Sequence, residues 1–215
     1  MRAIIFANGS LNLPVALLPG DFIIAADGGA QHCLALGLVP AVVIGDLDSL
    51  TPADLEALKD QGAEIVQFPA RKDFTDLELA LMHARSSGAE EILILGALGE
   101  RWDQTLANVM LPAAFSDLNI RLVDGNQEFF YLRTGETITV TGSPGDTLSL
   151  IPLGGEAQGI TTDKLEYPLH GENLPLGSTR GVSNVLLAEA AQISLCEGFL
   201  LCVVMHQPDQ PAKFD

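Results

Sequence analysis

The sequence predicts an α/β fold in two parts: an N-terminal domain on a parallel sheet, residues 1–125, and a C-terminal antiparallel β-sandwich, residues 126–215. Three observations carry this. Over the first part, short continuous apolar runs rich in β-branched residues alternate with amphipathic helical stretches, as expected for strands buried on both faces under crossover helices. After Asp124-Gly125-Asn126 the rhythm changes to short strand-like runs punctuated by glycine and proline turns. The length of 215 residues, 47% hydrophobic and 18% charged, supplies two modest cores without disulfide or metal staples.

In the first domain the predicted strands are Ala3–Ala7, Phe22–Ala26, Val42–Gly45, Ile65–Phe68, Ile92–Gly96 and Ile120–Asp124. Thr51-Pro52-Ala53-Asp54 supplies an N-cap, a proline at the first helical position and an acid in the first turn, and Gly62 stops that helix. Leu77, Ala80, Leu81 and Ala84 recur at i, i+3, i+4, i+7 and place a helix after Asp73. Leu106, Val109, Met110 and Ala113 repeat the spacing, and Pro112 is expected to kink or end this helix. In the second domain the strand-like runs include Thr137–Thr141, Thr147–Pro152, Ala190–Leu195 and Phe199–Met205. The tail after His206 is expected to fray.

Composition narrows the function. A formal net charge of −17 repels a phosphate backbone, so nucleic acid is not an expected partner. A nucleotide ligand would then need a divalent cation to bridge it to the protein. The opening apolar run is too short for a signal peptide or a membrane span, and no later stretch qualifies. Cys33, Cys196 and Cys202 are far apart and lack metal-ligand spacing, which fits a reducing, cytoplasmic setting.

In open α/β sheets ligands bind beyond the carboxyl ends of the strands, and here those ends are rich in Asp, Asn and Gly. The first ends in Asn8-Gly9-Ser10, the second in Asp27-Gly28-Gly29, the third in Gly45-Asp46-Leu47-Asp48-Ser49, and the fifth in Gly96 through Asp103. Gly28 and Gly29 either form a tight turn or let backbone N–H groups approach a phosphate. No P-loop pattern is present. Asp46 and Asp48, two residues apart after a buried strand, would repel one another unless a cation neutralised them, and magnesium suits such a pair.

Lys72-Asp73-Phe74-Thr75-Asp76 opens a helix. One reading has Asp73 at the N-cap and Asp76 at the third helical position, which leaves Lys72 without a use. Arg101 could grip phosphate with its planar fork, and Asp103 could orient it or cap a helix beginning at Gln104. Trp102, the only tryptophan, is read as core in preference to a base-stacking platform. His32, His83, His170 and His206 show no mutual ligand spacing.

Taken together, Ala26-Asp27-Gly28-Gly29, Gly45-Asp46-Leu47-Asp48-Ser49, Lys72-Asp73-Phe74-Thr75-Asp76, Gly96 through Gln104 and Gly181-Val182-Ser183-Asn184 resemble the ordered motifs of the thiamine pyrophosphokinase family. The resemblance implies a Rossmann-like catalytic domain and a thiamine-binding, dimerising sandwich. It implies transfer of the pyrophosphoryl group of ATP to thiamine, giving thiamine diphosphate and AMP, with Mg2+ required. Asp46, Asp48, Asp73 and Asp76 become candidates for magnesium and for catalysis, together with Arg101 and Asp103. Asn8, Asp27, Gly28, Gly29, Lys72, Thr75, Arg101 and Gln104 become nucleotide candidates. Ser183 and Asn184 would form the thiamine pocket of the facing subunit in a homodimer. Glu100 stands where many relatives carry glycine, Gln104 where many bacterial relatives carry histidine, and the second domain lacks the tryptophan that stacks on thiamine in some relatives.

Transfer at phosphorus needs positioning and charge neutralisation more than covalent help, so aspartates, magnesium and one arginine suffice in kind. Asp73 or Asp76 would accept the thiamine hydroxyl proton. Two other readings stand beside this one. Asp46-Leu47-Asp48 also resembles the D-x-D of haloacid-dehalogenase-type phosphatases, with Asp46 as nucleophile. A nucleotide- or thiamine-binding regulator without catalysis would need the same pocket.

Overall fold

The computed structural model describes residues 1–12 and 17–207 and divides into two compact units, Met1–Asp124 and Gly125–Asp215. Residues 208–215, most of the tail expected to fray, lie outside the described residues.

The first unit runs β1 (Arg2–Phe6), β2 (Phe22–Ala26), α1 (Gly29–Ala35), β3 (Val42–Gly45), α2 (Pro52–Asp60), β4 (Glu64–Gln67), α3 (Asp76–Ser86), β5 (Glu91–Leu95), α4 (Trp102–Met110), a 3₁₀ turn (Leu111–Ala114) and β6 (Asn119–Asp124). Its sheet has the order β6-β5-β1-β2-β3-β4, and every pair is parallel. Ile4, Ile5, Phe6, Ile24, Ile94 and Leu95 are essentially inaccessible, as continuous apolar strands should be when helices cover both faces. Helix α3 buries Leu77, Leu79, Ala80, Leu81 and Ala84 on its inner side. Helix α2 starts with the capping box that its sequence announces, Thr51 and Asp54 exchanging hydrogen bonds behind Pro52.

Three expectations change here. Helix α3 is capped by Thr75, whose hydroxyl accepts the N–H of Glu78, so Asp76 is the first helical residue and Asp73 lies outside the helix. Helix α4 begins at Trp102 with Arg101 at its N-cap, so Asp103 lies in its first turn and is not the cap of a helix beginning at Gln104. Trp102 is 73% exposed and is not core, because the helix presents Trp102, Leu106 and Met110 outward at i, i+4, i+8. Pro112 falls in the 3₁₀ turn that follows α4, the position its missing N–H tolerates.

The second unit contains β7 (Gln127–Arg133), β8 (Thr137–Thr141), β9 (Thr147–Pro152), β10 (Ala157–Asp163), β11 (His170–Leu174), β12 (Asn184–Val185), β13 (Ala190–Ser194) and β14 (Phe199–Met205). They form two antiparallel layers, β12-β9-β14-β7 and β11-β10-β13-β8. Leu132, Leu148, Leu150, Leu200 and Val204 of one layer share a core with Val140, Ile160, Leu174, Ala191 and Ile193 of the other, which makes a sandwich. At its margin His206, Asp146 and Glu128 are all buried, with the His206 Nδ1 2.8 Å from Asp146 Oδ2 and its Nε2 3.9 Å from Glu128 Oε2. No helix among the described residues is long and apolar enough to cross a membrane.

Candidate active site

The carboxyl ends of β2 and β3 and the start of α3 bring three acids together. Asp27 follows β2 and donates its N–H to the Ile44 carbonyl of β3 at 2.9 Å, which fixes it beside Asp46, two residues further along. Asp27 (φ +45°) and Leu47 (φ +65°) both adopt the left-handed conformation, uncommon for any residue with a Cβ and more so for leucine. Thr75 ends the preceding loop as the α3 cap and leaves Asp76 projecting from the first turn. Gly45 is required between them: a Cβ there would sit 2.9 Å from Asp76 Oδ1 and 3.0 Å from the Asp27 Cβ.

One carboxylate oxygen from each of Asp27, Asp46 and Asp76 lies within 4.8 Å of the others. Asp27 is 6% exposed. Its Oδ2 accepts from Ser49 Oγ at 2.5 Å and Asn8 Nδ2 at 3.3 Å, while its Oδ1 is buried with no hydrogen-bond partner. A buried carboxylate oxygen without a donor is costly unless a cation serves it. Lys72 supplies part of that charge, with its ammonium 2.8 Å from Asp76 Oδ1 and 3.7 Å from Asp46 Oδ2. Burial opposes the Lys72 charge, but the hydrogen bond to Asp76 and the fields of Asp76, Asp46 and Asp27 outweigh it and hold its pKa above the ordinary value.

These groups line a cavity of about 740 Å³. Asn8, Asp27, Asp46, Asp48 and Ser49 form one side, Lys72, Phe74, Thr75 and Asp76 another, and Glu100, Arg101, Asp103 and Gln104 a third. Asp48 faces the cavity from outside the three-acid cluster and accepts from Ser49 Oγ at 3.3 Å. Arg101 and Asp103 pair through two contacts of 2.6 and 3.3 Å at the exposed start of α4. The pair raises the arginine pKa and lowers that of the aspartate, each chiefly through the hydrogen bond to the other.

The loops behind the cavity are locked by contacts that no motif announced. Gly9 N–H donates to the Gly96 carbonyl at 2.7 Å and Ser10 N–H to the Leu98 carbonyl at 2.7 Å. His32 Nε2 lies 2.8 Å from the Gly9 carbonyl, a contact that helps to position this loop. Thr105 Oγ1 accepts from Gly99 N–H, and Asn108 donates to the Ala97 carbonyl. Gly28 and Gly29 serve this packing. A Cβ on Gly28 would run into the Asn8 carboxamide, one on Gly29 into the Phe6 carbonyl, and neither residue lines the cavity. Asp73 is exposed and does not line it either.

In the second unit, Ser183 is exposed in the left-handed conformation (φ +60°) and its N–H donates to Ser149 Oγ at 3.1 Å. Asn184 is 7% exposed, and its carboxamide is taken up by backbone. It accepts from Tyr167 N–H at 3.0 Å and donates to the Tyr167 carbonyl at 2.7 Å. The Lys164–Tyr167 segment is thereby fastened to Asn184–Leu187, with Glu166 N–H on the Val185 carbonyl and Leu187 N–H on that of Lys164. The outcome is an exposed Tyr167, 64% accessible, whose own backbone N–H and carbonyl are both held by Asn184. Tyr167 was not singled out from sequence; the sole available signal was an aromatic standing before Pro168.

Two family models match this chain: "Thiamin pyrophosphokinase, catalytic domain" over residues 17–123 and "Thiamin pyrophosphokinase, vitamin B1 binding domain" over residues 136–200. A thiamine pyrophosphokinase of Bacillus subtilis (strain 168) is 29% identical over 182 residues, 84% of this chain and 85% of that protein. A thiamine pyrophosphokinase of rice is 31% identical over 164 residues, 72% of this chain and 62% of the plant protein. Among solved structures, the Bacillus subtilis thiamine pyrophosphokinase superposes with a TM-score of 0.87 at 26% identity, covering 96% of this chain and 100% of that one. A thiamin pyrophosphokinase family protein from Enterococcus faecalis gives 0.84 at 28% identity, with the same coverage.

Proposed function

This chain belongs to the thiamin pyrophosphokinase family, and from that we propose that it transfers the pyrophosphoryl group of ATP to thiamine, yielding thiamine diphosphate and AMP. The observation that carries the reading is the cluster of Asp27, Asp46 and Asp76 beside Lys72, in a cavity roomy enough for a nucleotide triphosphate tail.

The hydroxyl oxygen of thiamine attacks the β-phosphorus in line, a new oxygen–phosphorus bond forms, and the bond from that phosphorus to the oxygen retained by AMP breaks. Three clustered carboxylates, one oxygen of them buried and partnerless, fit a hard divalent cation, and Asp27, Asp46 and Asp76 would hold it. Bound there, magnesium neutralises the charge of the diphosphate that is transferred. Lys72 and Arg101 add positive charge to the phosphate path, Lys72 as a compact ammonium and Arg101 as a planar fork. Asn8 and Ser49 hold Asp27 in register. The role expected of Asp73 passes to Asp76, which reaches the cavity; Asp48, on the cavity wall, is the further carboxylate available to the hydroxyl proton.

For the acceptor we assign Tyr167, with Ser183 beside the fastened segment. Thiamine carries a cationic ring, and an exposed tyrosine face held without side-chain competition suits it. Asn184 acts through Tyr167, since its carboxamide is spent on that backbone. We further propose a homodimer with shared sites. The outward stripe Trp102, Leu106 and Met110 in the first unit and the exposed Tyr167, Leu176, Val182 and Leu187 in the second are apolar surfaces of the kind interfaces cover. Three free cysteines agree with a reducing cytoplasm. Neither the phosphatase nor the non-catalytic reading gains support from the family match.

Incubating the protein with ATP, magnesium and thiamine tests the reading. AMP and thiamine diphosphate should appear in equal amounts. Formation of ADP and phosphate, or tight thiamine binding with no AMP, would replace it.

A further inference from the structure

Lys72 stands just ahead of the Asp73-Phe74-Thr75 turn, and the Thr75 cap sets Asp76 four residues on so that the two side chains meet. The lysine side chain is only 11% exposed, unusual for a residue whose flexible stem ordinarily carries its charge into water. Its ammonium bridges Asp76 Oδ1 and Asp46 Oδ2, oxygens of two acids of the cluster, at 2.8 and 3.7 Å. A divalent ion coordinated by those acids would take its ligands at about 2.0–2.1 Å. It would therefore lie within a few ångströms of the lysine nitrogen, where two cations repel strongly. Nucleotide phosphates change the balance, because they bring enough negative charge for both cations and a new partner for the lysine.

We propose that Lys72 is a resident counter-cation of the three-acid cluster, which weakens capture of a free divalent ion and makes the ion enter together with a nucleotide polyphosphate that takes over the ammonium. The inference rests on the metal site assigned above and deepens it. It makes the metal–nucleotide complex, not the free ion, the species that the cluster selects. The positive charge needed to hold three acids together is also built into the chain, so the cluster persists before substrate arrives.

The test uses Mn2+ as the probe on the full-length protein, titrated calorimetrically with and without a non-hydrolysable ATP analogue. In Lys72→Met without nucleotide, Mn2+ should bind about tenfold tighter or more than in wild type. Its thermal midpoint in chelator should drop and then recover more than wild type as Mn2+ is added. Lys72→Gln serves in the same assay should the methionine variant not fold. Lys72→Arg, which keeps the charge, should bind free Mn2+ as weakly as wild type. Unchanged or weaker Mn2+ affinity in the neutral variants, with the wild type still taking up Mn2+ alongside the analogue, overturns the role of Lys72 and leaves the metal site standing. No Mn2+ uptake even with the analogue overturns both.

Discussion

His206 and Asp146 form a buried pair, Nδ1 to Oδ2 at 2.8 Å, that ties the end of β14 to the turn between β8 and β9. The Glu128 carboxylate, then Asp146, raise the His206 pKa despite the opposing effect of burial. A folded pKa above the unfolded one means that the pair's stabilisation is complete below about pH 6.5 and is lost as pH rises through the folded value. Thermal melts of the wild type should therefore fall over that rise. His206→Ala should cost about 3 kcal/mol at pH 6 and flatten the pH slope. A variant with the wild-type slope would assign the pH dependence elsewhere.

Asp46→Asn should lower turnover by about a hundredfold or more, as expected when a group that neutralises developing charge is lost. Its thermal midpoint should hold or rise, because one of three mutually repelling charges is gone. Asp76→Asn should lower turnover as much but melt earlier, since it also breaks the 2.8 Å contact to Lys72. Steady-state assays and melts of the two variants check this, and near-normal turnover would remove the residue from the site.

Tyr167→Ala should raise the thiamine KM about tenfold, the loss of a cation over an aromatic face, and leave the ATP KM within twofold. Tyr167→Phe should keep the wild-type value. Asn184→Ala should destabilise the protein by about 1–3 kcal/mol, because the Tyr167 backbone groups lose their partners. A normal KM in Tyr167→Ala would move the thiamine site away from this residue.

Shared sites predict complementation. An Asp46→Asn chain refolded with a Tyr167→Ala, Ser183→Ala chain gives about half mixed dimers, each with one intact site. Roughly a quarter of wild-type activity should return at limiting thiamine. Mixtures that show no more activity than the mean of their two parents, despite demonstrated exchange of subunits, would mean that each chain builds its pocket alone.

The parallel sheet was legible because strands covered on both faces leave continuous apolar runs, and β1 through β6 fall on the runs so read, with β1, β4, β5 and β6 each starting one residue earlier. In the sandwich, β10 (AQGITTD) and β11 (HGENL) escape such reading, since one side of each faces water and their sequences are mostly polar. The acids at the strand ends were visible, but Asp27 joins Asp46 and Asp76 only through the β2–β3 register, which no local pattern encodes. Asp73 and Thr75 are both good caps by type, and which of them starts the helix was settled by where the chain turns. The apolar spacing of α4 revealed a helix but not the direction in which its stripe points.

That outward stripe begins with the only tryptophan in the chain. In the separate chain that indole stands in water, so unfolding a lone subunit would change its surroundings little, whereas closing the proposed dimer over the stripe would dehydrate it. The same indole, flanked by Arg101 and Asp103 on the rim of the cavity, would be dehydrated by anything that settles on α4. The protein thus carries its own optical reporter of docking on α4, with no label required.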